Sequence, residues 1–83
     1  MYDILWFQDA VDELFELARR DRRQATRVLT TVRSFGRDGR GDIKKLQGQD
    51  GEWRLRAGEW RVRILIESRT VRVVSVVPRR DAY

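Results

Sequence analysis

Four arginines at alternating positions, Arg54, Arg56, Arg61 and Arg63, are the residues of this 83-residue chain best spaced to act together on a charged ligand. From Glu52 onward the apolar residues recur with period two: Trp53 and Leu55, then Trp60, Val62, Ile64 and Ile66. That pattern predicts a half-buried β-hairpin with the arginines on the opposite side. Apolar residues of both strands must meet on one face, which an even-length loop around Ala57-Gly58 achieves. It sets Leu55 opposite Trp60 and Trp53 opposite Val62 on the core side. On the other side it sets Arg56 opposite Glu59, Glu52 opposite Arg63, and Arg54 opposite Arg61. Like charges directly across a sheet cost on the order of 0.2 to 1 kcal/mol. An anion between Arg54 and Arg61 would remove that cost; the alternative is that the two side chains splay into water. The same reasoning at the Ser68-Arg69 turn places Arg61 opposite Val76 and Leu65 opposite Arg72, so the charged face extends toward Pro78-Arg79-Arg80. Both Arg79 and Arg80 are within reach, and Pro78 breaks the alternation that would say which turns toward Arg54 and Arg61.

Composition narrows what such a face could do. There is no Cys and no His, which removes disulfides, thiolate nucleophiles, the commonest metal ligands and the usual neutral-pH acid/base. Catalysis would fall to Arg, Lys, Tyr, Asp or Glu, with no metal and no cofactor expected. The 18 basic residues outweigh 13 acidic ones for a net charge of +5, and only Lys44 and Lys45 among the 18 are not Arg, whose planar fork suits bidentate phosphate binding. The charge is uneven: residues 1–21 carry six acids and two bases, a net of −4, and the remaining 62 residues carry sixteen bases and seven acids, a net of +9. A polyanion is the expected partner.

The positioning elements fit a single domain over residues 1–83, since a chain this short has no room for a second core. Tyr2 to Phe7 reads as a strand. Asp9 is placed to cap a helix whose Val11, Leu14, Phe15 and Ala18 recur at helical spacing. Asp21 opens a second helix through an Asp variant of the capping box, with Ala25, Val28, Leu29, Val32 and Phe35 as its stripe and Gly36 as its stop. A polar loop follows at 37–42, and Ile43 to Leu46 is open between strand and coil. Two hairpin strands and a Val-rich third strand ending at Pro78 complete the chain. The expected class is α+β: an N-terminal strand, two antiparallel helices, and a three-stranded antiparallel meander with both helices on one sheet face. Trp6, Trp53 and Trp60 fall on the apolar side. The longest apolar run is Ile4 to Phe7 and no basic segment follows Met1, so neither a membrane span nor a signal peptide is expected and the cytoplasm is the default location.

Three elements occur in order: Lys44-Lys45-Leu46-Gln47-Gly48, then Gly51-Glu52-Trp53-Arg54-Leu55-Arg56-Ala57-Gly58-Glu59-Trp60-Arg61-Val62, then Arg79-Arg80-Asp81-Ala82-Tyr83. With the two-helix first half, they make the chain resemble the RelE/ParE toxin superfamily over essentially its whole length. The resemblance implies a type II toxin-antitoxin toxin neutralised by a cognate antitoxin protein. Its RelE-like branch cuts mRNA in the ribosomal A site by metal-independent attack of a 2′-hydroxyl on the adjacent phosphate. Its ParE-like branch poisons DNA gyrase, and a non-catalytic RNA-binding relative is a third possibility. The RelE-like branch is favoured, because its chemistry can proceed with Arg, Lys and Tyr.

By that resemblance Arg54 takes the position of a catalytic lysine, Arg61 that of the phosphate-clamping arginine, Arg79 that of the group that stabilises or protonates the leaving oxygen, and Tyr83 that of the general base. Such roles suit the chemistry, since a pentacovalent phosphate gains negative charge that preorganised guanidinium groups stabilise, and the same cations favour a phenolate. Lys44, Lys45, Arg56, Arg63 and Arg80 are the accompanying RNA-binding candidates, the two lysines being ordinary loop residues on the other reading. The sequence departs from the family pattern at Pro78, where some branches carry His, and at Glu52, where RelE itself has a further lysine.

Overall fold

The computed structural model describes residues 1–48 and 51–81. The element order is β1 (Asp3–Trp6), α1 (Gln8–Arg20), α2 (Arg22–Asp38), β2 (Ile43–Lys45), β3 (Glu52–Ala57), β4 (Trp60–Glu67), β5 (Thr70–Pro78), and a 3₁₀ turn over Arg79–Asp81. The strands form one sheet in the order β1-β5-β4-β3-β2. β2 to β5 are antiparallel neighbours, and β1 joins parallel to β5. The α+β arrangement expected from the pattern is present, and Ile43–Lys45 adds one more antiparallel strand at the far edge. Among the described residues no helix is long and apolar enough to cross a membrane.

Both helices pack on one sheet face. α1 lies against β5 and α2 against β3, β4 and β1. Val28, Val32 and Phe35 of α2 meet Leu55, Val62, Ile64, Val71 and Val73 of the sheet in a core where each is at most 2% exposed. Trp53 and Trp60 pack against its border, as their parity predicts, and so does Trp6 from the apolar run of β1. Asp21 caps α2 by accepting the Gln24 N–H at 3.3 Å, also as expected.

Several local expectations are corrected. Asp9 lies inside the first turn of α1; Phe7 is the N-cap, and its side chain makes no cap bond. The buried positions of α1 are Ala10 and Leu17, whereas Phe15 is 65% exposed. At 3.6 residues per turn Phe15 lies about 140° or more round the helix from Ala10 and Leu17, and one charged residue shares the inner side: the Glu13 carboxylate accepts the Val76 N–H at 2.8 Å. β5 runs on past the end of β1, so that N–H faces no strand on this edge and needs another acceptor.

Gly36 is not a helix stop. The helix continues to Asp38 and ends at Gly39 in the left-handed conformation, whose N–H donates to the Phe35 carbonyl at 2.7 Å. Gly36 is instead a point of close approach: a Cβ there would sit 2.6 Å from Ile4 Cδ1, and the Gly36 carbonyl accepts the Tyr2 N–H at 2.7 Å. The helix crosses β1 at the one position without a side chain.

The hairpin register also differs from the expected one, by two residues. The turn is Gly58-Glu59 rather than Ala57-Gly58, which pairs Ala57 with Trp60, Leu55 with Val62 and Trp53 with Ile64. Gly58 has φ 63°, and a two-residue hairpin turn needs positive φ at its first central position, where Gly is the residue without penalty. An even shift leaves each side chain on its expected face and changes only its partner. Between β4 and β5, Leu65 faces Arg72 as expected, but Arg61 faces Val77 and not Val76. A bulge between Arg63 and Ile64 leaves Val74 unpaired, and this one-residue slip lets Val71, Val73 and Val76 all reach the core.

The Gly36 contact is testable by a double-mutant cycle. Gly36→Ala should destabilise the protein by about 1 to 3 kcal/mol in denaturant unfolding, the usual range for overpacking, despite the better helix propensity of Ala. In an Ile4→Val background, which removes Cδ1, the cost should shrink; equal costs in both backgrounds would place the strain elsewhere.

Candidate functional site

The face of the sheet away from the helices carries Lys44 on β2, Arg54 and Arg56 on β3, and Arg61 and Arg63 on β4. The observed register sets Arg54 opposite Arg63 and Arg56 opposite Arg61, so this face holds two like-charged pairs where the expected register held one. Lys44 faces Arg54 across the β2–β3 ladder. Each such juxtaposition opposes folding; the core on the other side holds them in place.

Arg61 lies at the centre and is 7% exposed. Its Nη1 donates to the carbonyls of Gly58, at 2.9 Å, and Trp60, at 3.1 Å, which turns the side chain back over the hairpin turn. Burial holds the guanidinium below its ordinary pKa, and the like charges of Arg56, Arg54 and Arg79 act in the same direction, with Glu59 opposing them. Arginine still remains cationic at neutral pH. The site is thus a partly desolvated concentration of positive charge, where an anion gains more than it would in water.

The 3₁₀ turn brings Arg79 to this centre. The Arg79 N–H donates to the Glu59 carbonyl at 2.8 Å, fastening the residue after Pro78 to the hairpin turn. Arg79 is therefore the one of the two terminal arginines whose charge bears on Arg61. Arg80 borders a groove toward α1 that Glu13, Glu16, Leu17 and Trp60 also line. Tyr83 lies outside the described residues.

The other candidates divide. Lys44 and Lys45 border a groove with Leu46, Gln47, Glu52 and Arg63, beside the arginine group. Arg63 Nε donates to the carboxylate of Glu52, which is buried with a side chain 4% exposed, so Arg63 is committed in part to this structural pair. The Glu52–Arg63 interaction expected across the strands survives as a diagonal contact. Arg56 is half exposed and open to a ligand.

Two features of the site lie outside the sequence expectations. Asp42, in the loop after α2, has its carboxylate 3.7 Å from Arg54 Nη2 and 3.8 Å from Arg56 Nη1. The Nε of Arg54 is buried with no acceptor among the described residues, which is costly unless something supplies one. Only the pairing of β2 with β3 brings Asp42 here, and Ile43 to Leu46 gave no periodic signal by which to foresee it. Among the described residues no group of three or more His, Cys, Asp or Glu is placed to hold a metal ion. The arrangement is suited to gripping a phosphate and to neutralising charge that builds up on it.

No family model and no curated protein matches the chain. Solved structures match its fold closely. The toxin-antitoxin complex RelBE2 from Mycobacterium tuberculosis is 22% identical, covers 94% of this chain and 98% of its own, and superposes with a TM-score of 0.79. A YoeB/ParE toxin from Agrobacterium tumefaciens is 19% identical over 92% of this chain and 96% of its own, with a TM-score of 0.78. The archaeal RelE-RelB complex from Pyrococcus horikoshii is 21% identical over 98% of each chain, with a TM-score of 0.72. The chain shares the fold of these solved structures.

Because the arginines repel one another and Arg54 Nε has no acceptor among the described residues, an anion should stabilise the folded state by mass action. At constant ionic strength, replacing chloride by sulfate should raise the thermal midpoint, and Arg61→Ala should reduce that increment. An identical increment in the variant would mean that the anion acts away from this face.

Proposed function

We propose that this protein is the toxin of a type II toxin-antitoxin pair and acts as a ribosome-dependent endoribonuclease on mRNA. The observation that carries the reading is the grouping of Arg54, Arg56 and Arg79 around the buried Arg61 on the open sheet face. The fold supports it, as it is shared with chains solved as toxins in complex with antitoxins.

In the proposed reaction the 2′-hydroxyl of one nucleotide attacks its own 3′-phosphorus. The O2′–P bond forms and the P–O5′ bond breaks, leaving a 2′,3′-cyclic phosphate and a 5′-hydroxyl. The proton of the 2′-hydroxyl goes to a general base, a role that the family resemblance gives to Tyr83, and the departing O5′ takes one from Arg79 or from water. Arg54 and Arg61 neutralise the charge gained by the phosphorane oxygens. The guanidinium groups already face one another before the ligand arrives, so little reorganisation is required at the moment of reaction. Lys44, Lys45, Arg56, Arg63 and Arg80 would hold neighbouring phosphates, and the ribosome would present the mRNA in the geometry of attack.

The antitoxin reading follows from the same charge. A net of +9 on the last 62 residues suits an acidic segment, disordered when free, that folds over the domain when bound.

Two substitutions test the chemistry. Arg61→Ala should lower single-turnover cleavage on programmed ribosomes by roughly 10² to 10³, the usual effect of removing one charge-stabilising donor, with the fold intact by circular dichroism. Cleavage at the parental rate would remove Arg61 from the site. Tyr83→Phe should slow the same step with little change in ribosome affinity; equal rates would move the base role to another residue or to ribosomal RNA.

A further inference from the structure

The loop after α2 delivers a carboxylate into the arginine group. The Asp42 carbonyl accepts the Arg56 N–H at 2.9 Å, which carries the β2–β3 ladder one residue further and fixes the Asp42 backbone beside β3. From there one carboxylate oxygen points to each guanidinium, at 3.7 Å for Arg54 and 3.8 Å for Arg56. This is how two oxygens of a single anion bridge two arginines, but at ion-pair rather than hydrogen-bond distance. The seat is wider than a carboxylate on this tether fills. The Arg54 guanidinium is not fully satisfied, since its Nε is buried without an acceptor among the described residues. A tetrahedral phosphate offers more acceptor oxygens than a carboxylate and is not bound to the backbone.

Asp42 is also easy to displace. Its side chain is 58% exposed, and its one short hydrogen bond here is made by the main chain, so the carboxylate can swing into water without breaking the strand. Exposed ion pairs of this kind contribute little to stability. We propose that the Asp42 carboxylate occupies, in the free protein, the seat between Arg54 and Arg56 that a ligand phosphate takes on binding. Asp42 is then the residue that sets how tightly and with what salt dependence this face holds a phosphate chain. The proposal rests on reading the face as an RNA-phosphate site. In the free protein Asp42 relieves the mutual repulsion of Arg54 and Arg56, and a ligand displaces it only by offering those two guanidinium groups more than this carboxylate does.

The test is equilibrium binding of inorganic pyrophosphate, and separately of a short single-stranded RNA, to the parent, Asp42→Asn and Asp42→Ser, with the fold of each checked by its thermal midpoint. Removing the competing carboxylate should tighten both ligands roughly two- to fivefold at low salt, the effect of losing one exposed ion pair. For the RNA, the slope of log affinity against log salt should steepen by up to about 0.7, the value for one further phosphate contact on a single strand. Unchanged or weaker binding in both variants would overturn the proposal and leave Asp42 as a support for the arginine side chains; so would failure of the parent and both variants to bind pyrophosphate. Pyrophosphate involves neither ribosome nor cleavage, which separates the two readings. Tighter binding by the variants, with no mRNA cleavage by the parent, upholds the role of Asp42 and removes the nuclease assignment. Cleavage by the parent with unaltered affinities does the reverse.

Discussion

The burial of one side of the β3–β4 hairpin is the constraint on which the site depends. Leu55, Val62 and Ile64 lie fully buried under the helices, and because successive strand residues point to opposite sides, the intervening Arg54, Arg61 and Arg63 are driven onto the other face. No attraction among the arginines is needed to bring them together. The hydrophobic stabilisation of a few large side chains, each worth about 1.5 to 3 kcal/mol when buried, exceeds the cross-strand repulsion of two like-charged pairs. The fold thus holds a charge arrangement that would disperse if the sheet were released, which is the condition for a preorganised electrostatic site.

The rest of the molecule fastens the ends of that hairpin. The Arg61 side chain bonds back to the turn carbonyls, Arg79 is fixed by its N–H to the same turn, and Glu13 reaches from α1 to hold the β5 edge upstream of it. Asp42 anchors the opposite side through the β2–β3 ladder. Segments far apart in sequence therefore hold β3, β5 and the turn between β3 and β4. A charged pair of another kind, Glu52 with Arg63, stays on the β3–β4 strands and is part of the scaffold.

The faces were legible in the sequence because a period of two is insensitive to an even slip: the hairpin register moved by two residues, yet the arginines remained on the open face. Their partners were not legible, since nothing in the alternation distinguishes a turn at 57–58 from one at 58–59; that choice depends on positive φ at Gly58. The Val74 bulge was hidden for a related reason, as Val71, Val73, Val74, Val76 and Val77 supply an apolar residue for either phase of the strand. Phe15 followed the helical spacing but lies on the side of α1 away from the buried Ala10 and Leu17. Gly36 matched the composition of a helix stop, and only the crossing of α2 over Ile4 shows its use. Asp42 had no local signal at all, because its role depends on a three-residue edge strand too short to leave a periodic pattern.

The proposed reaction is the breaking of mRNA phosphodiester bonds by this arginine face on the ribosome. Mapping transcript ends in cells after controlled expression tests it most directly. New ends should appear in translated regions, phased with the codon, with 5′-hydroxyl and 2′,3′-cyclic phosphate termini. Intact transcripts in arrested cells, accompanied by stabilised gyrase–DNA cleavage complexes, would contradict it.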